Sequence, residues 1–342
     1  MTSTYLLPLL KIVVILNAVL ISVTFMTLLE RKVIAWVQVR LGPMRVGPHG
    51  SLQPIADAIK LLLKEDITPA RADKWVFTLA PIVSIVPALI AFAVIPFDRE
   101  ASFFGYRVPL VVADVNVGLL YLVSITSIGV YGIILAGYAS NSKFPLLAGL
   151  RASAQLISYE IAVTMMLVSM VVMSGTLSMV GIIEAQYNAH VWYVFAQPVA
   201  FVILFIGGLA ETNRAPFDLP EAEQELTGGF HTEYSGMRFA LFFLAEYANM
   251  IVVSAIATTL FLGGWLRPFP NVEWLWVLGY VPGWIWFLLK TFVFIYVFLW
   301  IRATLPRYRY DQLMRLGWKV LIPLGIANLI VTATFKVLIG HP

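Results

Sequence analysis

The sequence contains no cysteine. That excludes disulfides, thiol nucleophiles and thiolate-held iron–sulfur clusters. Only four histidines are present, His49, His190, His231 and His341, and none lies inside a long apolar run. A buried bis-histidine haem is therefore not expected, and any redox electrons must come from a partner. Charge is also scarce, at 12% of residues against about 25% in ordinary soluble domains. There is no P-loop, no glycine pattern for a dinucleotide and no G-x-S-x-G elbow. Gly42-Pro43, Gly47-Pro48 and Gly50 mark turns and do not form a phosphate cradle. No fixed-period repeat and no low-complexity tract organises the chain.

What is abundant is apolar side chain, 60% of 342 residues. A soluble core needs far less, so the excess must face lipid. The apolar runs are unbroken and do not alternate, so the expected fold is an all-α integral membrane protein and not a barrel. Eight runs are long enough to span: about 6–29, 75–95, 117–139, 157–175, 192–210, 238–262, 277–300 and 319–338. Pro81, Pro87, Pro198 and Pro323 fall inside them, which membrane helices tolerate when neighbours satisfy the freed carbonyls. The first run is too long for a cleaved signal peptide and lacks a small-x-small site. The whole of 1–342 reads as one polytopic domain, with a long loop at 30–74 and an acidic loop at 211–237.

Basic residues set the orientation. Seventeen Lys and Arg lie in the loops after spans one, three, five and seven, against three in the other loops, Arg99, Arg107 and Arg267, with Lys11, Lys290 and Lys336 inside spans. The odd loops are therefore expected on the cytoplasmic side, or on the matrix side in an organelle, with both termini outside. Trp265, Trp274, Trp276 and Trp284 then fall at the outer interface. In the first loop, Ile55, Ile59, Leu62 and Leu63 recur at helical spacing, with Asp57, Lys60 and Lys64 on the opposite face and Pro54 suited to a first turn. This predicts a short amphipathic helix on the membrane surface.

Charge inside a membrane is costly, so each buried ionisable residue is a functional candidate. Glu160 sits inside span four, and Glu246 lies roughly 13 Å along span six by helical rise. Glu211 closes span five, Glu30 closes span one beside Arg31, and Lys290 lies near the middle of span seven. Desolvation favours protonation of such carboxylates, as a proton path requires. The alternative is that they pair with Lys290, Arg31 or backbone donors and only hold helices together. The fifth loop concentrates acids: Glu211, Asp218, Glu221, Glu223, Glu225 and Glu233, with Arg214 the one Arg among them. It is open to three readings. It is a solvated acidic surface, a divalent-cation site lacking regular calcium-loop spacing, or a carboxylate cluster switched by charge changes nearby.

Several stretches resemble a known family. They are Glu30-Arg31-Lys32, Arg40-Leu41-Gly42-Pro43 through Gly47-Pro48, Leu52–Lys60, Leu150-Arg151-Ala152, Ile157–Glu160, Ala210–Leu226, Phe242–Tyr247, and Trp300-Ile301-Arg302 through Pro306–Gln312. The chain resembles the quinone-site membrane subunit of respiratory complex I, the H subunit in bacteria and NADH dehydrogenase subunit 1 in mitochondria. The resemblance implies an eight-helix subunit whose cytoplasmic loops wall a quinone chamber. By position, Arg31, Arg40, Asp57, Lys60, Phe243 and Arg302 are implied as chamber or entrance residues. Arg214 and Asp218 are implied in the loop that shapes its floor. Glu211, Glu221, Glu223, Glu225, Glu160 and Glu246 are implied as the acidic path from quinone into the membrane arm.

It further implies that the chain itself binds no cofactor or metal and has no autonomous catalysis, with quinone as substrate. Flavin and iron–sulfur clusters belong to partner subunits, which dock on the cytoplasmic loops, while other membrane-arm subunits lie alongside. The membrane is then the bacterial plasma membrane or the mitochondrial inner membrane. Alternatives are the equivalent subunit of a membrane hydrogenase or ferredoxin-linked complex, a stand-alone ion-coupled transporter, and a scaffold without chemical involvement. A transporter predicts paired inverted repeats with interrupted helices, and the sequence has no such repeats.

Overall fold

Backbone polar groups in lipid must be satisfied within the protein, which makes the long apolar runs helical. A computed structural model describes residues 2–103, 106–218, 228–268 and 278–339. Its helices are α1 (Thr2–Val37), α2 (Gln53–Leu63), α3 (Lys74–Ile90), α4 (Gly118–Ala139), α5 (Lys143–Ser174), α6 (Met179–Ala189), α7 (Tyr193–Ala196), α8 (Pro198–Glu211), α9 (Gly236–Phe261), α10 (Gly283–Thr304), α11 (Tyr310–Leu316) and α12 (Ile322–Ile339). A π-helical turn, Gly317–Leu321, joins the last two. Among the described residues, seven helices are long and apolar enough to cross a membrane. The run at 192–210 instead forms the shorter apolar helix α8.

That eighth run is interrupted for a local reason. Gln197 leaves helical geometry at φ −133°, ψ 57°, and Pro198 follows at the first turn of α8, where its missing N–H is harmless. The break is roofed by polar groups of α12: Gln197 Nε2 donates to Thr332 Oγ1 at 2.8 Å and Asn328 Nδ2 donates to Gln197 Oε1 at 3.0 Å. Two other helices outrun the bilayer. At about 1.5 Å per residue, α1 is about 54 Å long and α5 about 48 Å. Glu30, Arg31 and Lys32 therefore continue the helix beyond its apolar part, and the segment 143–156 is the start of α5 and not a loop.

The expected amphipathic helix is α2, with Pro54 in its first turn. Its apolar face is open: Ile55, Ile59, Leu62 and Leu63 are all exposed. Between α3 and α4 lies a two-stranded antiparallel hairpin, β1 (Asp98–Phe103) and β2 (Tyr106–Leu110). Asp98 accepts from the backbone N–H of Trp284 at 2.9 Å, so β1 caps the start of α10. Trp265 is buried within the protein, while Trp274 and Trp276 fall outside the described residues.

α3 packs on α4 and α9, α5 on α4, α8 and α12, and α9 on α10 and α1. The main apolar cluster runs through Met26, Leu122, Met166, Met170, Leu204, Val253, Leu260 and Phe298. Small residues let these helices approach. A Cβ on Gly132 of α4 would meet Ser84 Oγ at 2.1 Å and Ser84 N at 2.8 Å, and one on Gly208 of α8 would meet Val253 at 2.4 Å. Lys290 of α10 has a structural role. Its ammonium donates to the carbonyls of Leu262 at 2.7 Å, Gly264 at 3.0 Å and Leu266 at 2.6 Å, just past the C-terminus of α9. A cation there complements the helix dipole and its terminal carbonyls.

Candidate functional site

Two of the acids singled out from the sequence, Glu246 and Glu30, meet cations of distant segments. Glu246 of α9 lies 2.9 Å from Arg214 Nη2, and both side chains are almost inaccessible, at 10% and 3%. The guanidinium carbon sits 4.4 Å from the centre of the Tyr247 ring and 5.5 Å from that of Phe243. The ion is thus sandwiched between a carboxylate and two aromatic faces, a geometry that a planar guanidinium suits better than an ammonium. The Tyr247 hydroxyl donates to Glu30 Oε2 at 2.6 Å. Arg302 of α10 pairs with the other oxygen of the same carboxylate. α1, α9, α10 and the loop after α8 are therefore joined through one contiguous set: Arg302, Glu30, Tyr247, Arg214 and Glu246.

Neutral donors serve the next acid along. Ser127 of α4 donates to Glu160 Oε1. Glu160 and Glu211 both border a narrow cavity with Ser84, Thr126, Thr212, Asn213, Glu246 and Asn249. Water centres have about 40 Å³ there, room for about three molecules on a scale of about 10–15 Å³ each. Ser84 Oγ and Asn213 Oδ1 are buried without a protein partner among the described residues, which is the condition that ordered water relieves. A second cavity of about 30 Å³ shares Thr126, Glu160 and Glu211 with the first. Its other walls are mostly apolar, among them Leu122, Val163, Leu167, Leu204, Val253 and Ile256, with Thr164 one turn beyond Glu160 as a further polar group.

The loop that delivers Arg214 is anchored from two sides. Asp218 pairs with Arg307 at 2.8 Å, the Tyr308 N–H donates to the Pro216 carbonyl at 3.1 Å, and the Phe217 and Tyr308 rings stack at 5.6 Å. From α5, Gln155 donates to the carbonyls of Ala210 and Phe217. Glu221, Glu223 and Glu225 lie outside the described residues. The alternative pairings considered for the acids resolve differently from expectation. Glu30 pairs with Arg302, Arg31 with Asp57 of α2 at 2.6 Å, and Lys290 with carbonyls.

The residues named from the sequence thus fall into groups. Arg214, Phe243, Glu246 and Arg302 share the ionic set, and Glu160 and Glu211 share the first cavity with Glu246. Asp218 lies at the edge of the Arg214 loop, with Arg31 and Asp57 at the α1–α2 contact. Arg40 and Lys60 are exposed and outside the cluster. Gln155, Ser127, Tyr247 and Arg307 carry contacts that the sequence did not single out. A polar residue inside an apolar helix signals Gln155 and Ser127, whereas nothing local distinguishes Arg307 from other loop arginines. A wider apolar groove of about 680 Å³ lies between α1 and α10, with Phe25, Met26, Leu29, Leu288, Phe292 and Ile295 on its walls and Lys32 at its edge.

Comparison with known proteins agrees in scope with this architecture. A sequence profile of the family described as NADH dehydrogenase matches residues 10–333. The chain is 54% identical over 333 residues to NADH-quinone oxidoreductase H subunit 1 of Geobacter sulfurreducens, covering 94% of this chain and 92% of that protein. It is 52% identical over 339 residues to H subunit 2 of the same enzyme in Geobacter metallireducens, covering 96% and 95%. It is also 54% identical over 333 residues to the NADH-quinone oxidoreductase H subunit of Frankia alni, covering 96% of this chain and 72% of that protein. With similarity of that degree along nearly its whole length, the chain belongs to the NADH dehydrogenase family.

Proposed function

We propose that this chain is the membrane subunit of a proton-translocating NADH:quinone oxidoreductase that forms part of the quinone chamber and couples quinone reduction to proton movement. The observation that carries this reading is the continuity of the ionic set with the cavity. Arg302, Glu30, Tyr247, Arg214 and Glu246 are in contact in series, and Glu246 borders the cavity that Glu160 and Glu211 also line. Reduction of a quinone takes up two electrons and two protons. A charge change near Arg302 or Arg214 alters the field on Glu30 and Glu246, and in a low-dielectric interior that field is weakly screened. A proton displaced at Glu246 has water-sized space toward Glu160 and Glu211. From the Glu160–Glu211 pair the charge change passes onward to neighbouring membrane-arm subunits.

The electrons themselves travel in partner subunits that carry flavin and iron–sulfur clusters, and those subunits dock on the loops around α2 and after α8. Arg31, Arg40, Asp57 and Lys60 belong to the chamber entrance, and the groove between α1 and α10 offers an apolar seat for a quinone tail arriving from lipid. The basic loops face the cytoplasm, or the matrix in an organelle; with the interrupted α7–α8 run as an eighth crossing, both termini face the opposite side. The names of the relatives do not favour a hydrogenase component or a stand-alone transporter. Replacing Glu246 with Gln in the assembled enzyme tests the reading. Quinone-linked turnover and pumping are expected to fall at least tenfold, as for loss of a positioned acid–base group. Electron transfer from NADH to artificial acceptors is expected to persist. Normal quinone-linked pumping in that variant overturns the proposal.

A further inference from the structure

Gln155 stands five residues before Glu160 on α5 and is fully buried. Its amide nitrogen donates to two carbonyls at once, Ala210 at 2.9 Å and Phe217 at 2.8 Å. Ala210 belongs to the last turn of α8, and its carbonyl also accepts from the Asn213 N–H at 3.3 Å. Phe217 closes the other end of the stretch that contains Glu211, Thr212, Asn213 and Arg214. A single amide thus spans both ends of the loop, and Arg214 reaches Glu246 from between the two anchors.

The residue type follows from the geometry. Two carbonyls need two N–H donors on one atom, in an apolar surrounding that penalises charge. A primary amide meets both demands. An ionised carboxylate has no donor, a leucine removes both bonds and takes from the Phe217 carbonyl its Gln155 donor, and a lysine brings a charge. Thr212, Asn213 and Arg214 are each 3% exposed or less, so the loop has little freedom to adjust if its ends part. Arg214 must also meet the Tyr247 and Phe243 faces as well as the carboxylate, and displacement by about 1 Å is enough to cost a catalytic step about a hundredfold.

We infer that Gln155 is a positioning residue for quinone-linked turnover: by clamping the Ala210 and Phe217 carbonyls it sets the approach of Arg214 to Glu246. The inference rests on the functional reading above and adds a residue that acts through that ion pair without touching quinone. A mutant cycle in the intact membrane-bound enzyme tests it, with Gln155→Leu, the near-isosteric Gln155→Glu, Glu246→Gln, and Gln155→Leu combined with Glu246→Gln. Each single variant is expected to assemble, to keep NADH oxidation by artificial acceptors, and to lose about tenfold or more in quinone-linked kcat.

The double variant is expected to be no slower than Glu246→Gln alone, because the clamp then has no pair left to align. Gln155→Glu is expected to regain rate as pH falls, since a protonated carboxyl restores one donor, whereas Gln155→Leu is not. Additive losses, silent Gln155 variants or failure of both to assemble overturn the inference, the last by making the clamp purely structural. Full activity of Glu246→Gln instead overturns the functional reading on which it stands.

Discussion

Replacing Lys290 with Met removes a charge and three donors while keeping the length of the stem. The ammonium serves the carbonyls of Leu262, Gly264 and Leu266 at 2.6–3.0 Å, and lies 5.0 Å from the Trp192 ring. Hydrogen bonds to a charged group contribute about 1.5–3 kcal/mol each, and an orphaned buried acceptor costs about 1–3 kcal/mol. Burying the ammonium has itself cost several kcal/mol, which the variant recovers. With those terms opposed, the net loss is expected near 3 kcal/mol, a large share of the about 5–15 kcal/mol that holds a typical domain folded. The turn at 262–266 also fixes the end of α9, the helix that carries Glu246. The assay is the half-life of quinone-linked activity in the solubilised enzyme at a fixed elevated temperature. If the loss falls on the unfolding barrier, about 3 kcal/mol shortens that half-life about a hundredfold. A change under about fivefold refutes the assignment of Lys290 to the α9 terminus.

Two further outcomes follow from particular contacts. Gly132→Ala is expected to destabilise the α3–α4 contact by about 1–3 kcal/mol, read as a lower thermal midpoint. Adding Ser84→Gly is expected to leave most of the loss, because the backbone nitrogen at 2.8 Å remains in the way; full rescue contradicts that geometry. Burial raises the pKa of Asp98 above its ordinary 3.8, against the opposing bonds from the backbone N–H groups of Trp284, Arg99 and Glu100. A raised folded value means that the contribution of Asp98 to stability is fully present below pH 3.8 and declines as pH rises through the folded value. Asp98→Asn, which keeps an acceptor for Trp284, is expected to flatten that decline in a pH series of thermal midpoints. An unchanged slope argues against a buried, titrating Asp98.

Much of the architecture is legible along the chain. Unbroken apolar runs dictate helices because a backbone in lipid has no water to bond, and the α2 stripe follows from period alone. The acids Glu30, Glu160, Glu211 and Glu246 stand out because charge is rare in such runs. The interruption at Gln197 is less legible, since a proline in a membrane helix is compatible with either a continuous or a broken span. The outcome depends on whether Asn328 and Thr332 reach it.

Partner choice is the part that composition and spacing do not determine. Glu30 has Arg31 next to it in sequence, yet consecutive helix residues point apart, so Arg31 turns to Asp57 and Glu30 receives Arg302 from α10. Arg214 lies in an acid-rich loop, yet it inserts between Tyr247 and Glu246 of α9. Local sequence thus determined which segments cross the membrane and which residues are costly to bury there. Only the tertiary packing of α1, α5, α8, α9 and α10 decided how those charges are matched, because each pairing joins segments that are neighbours in space alone.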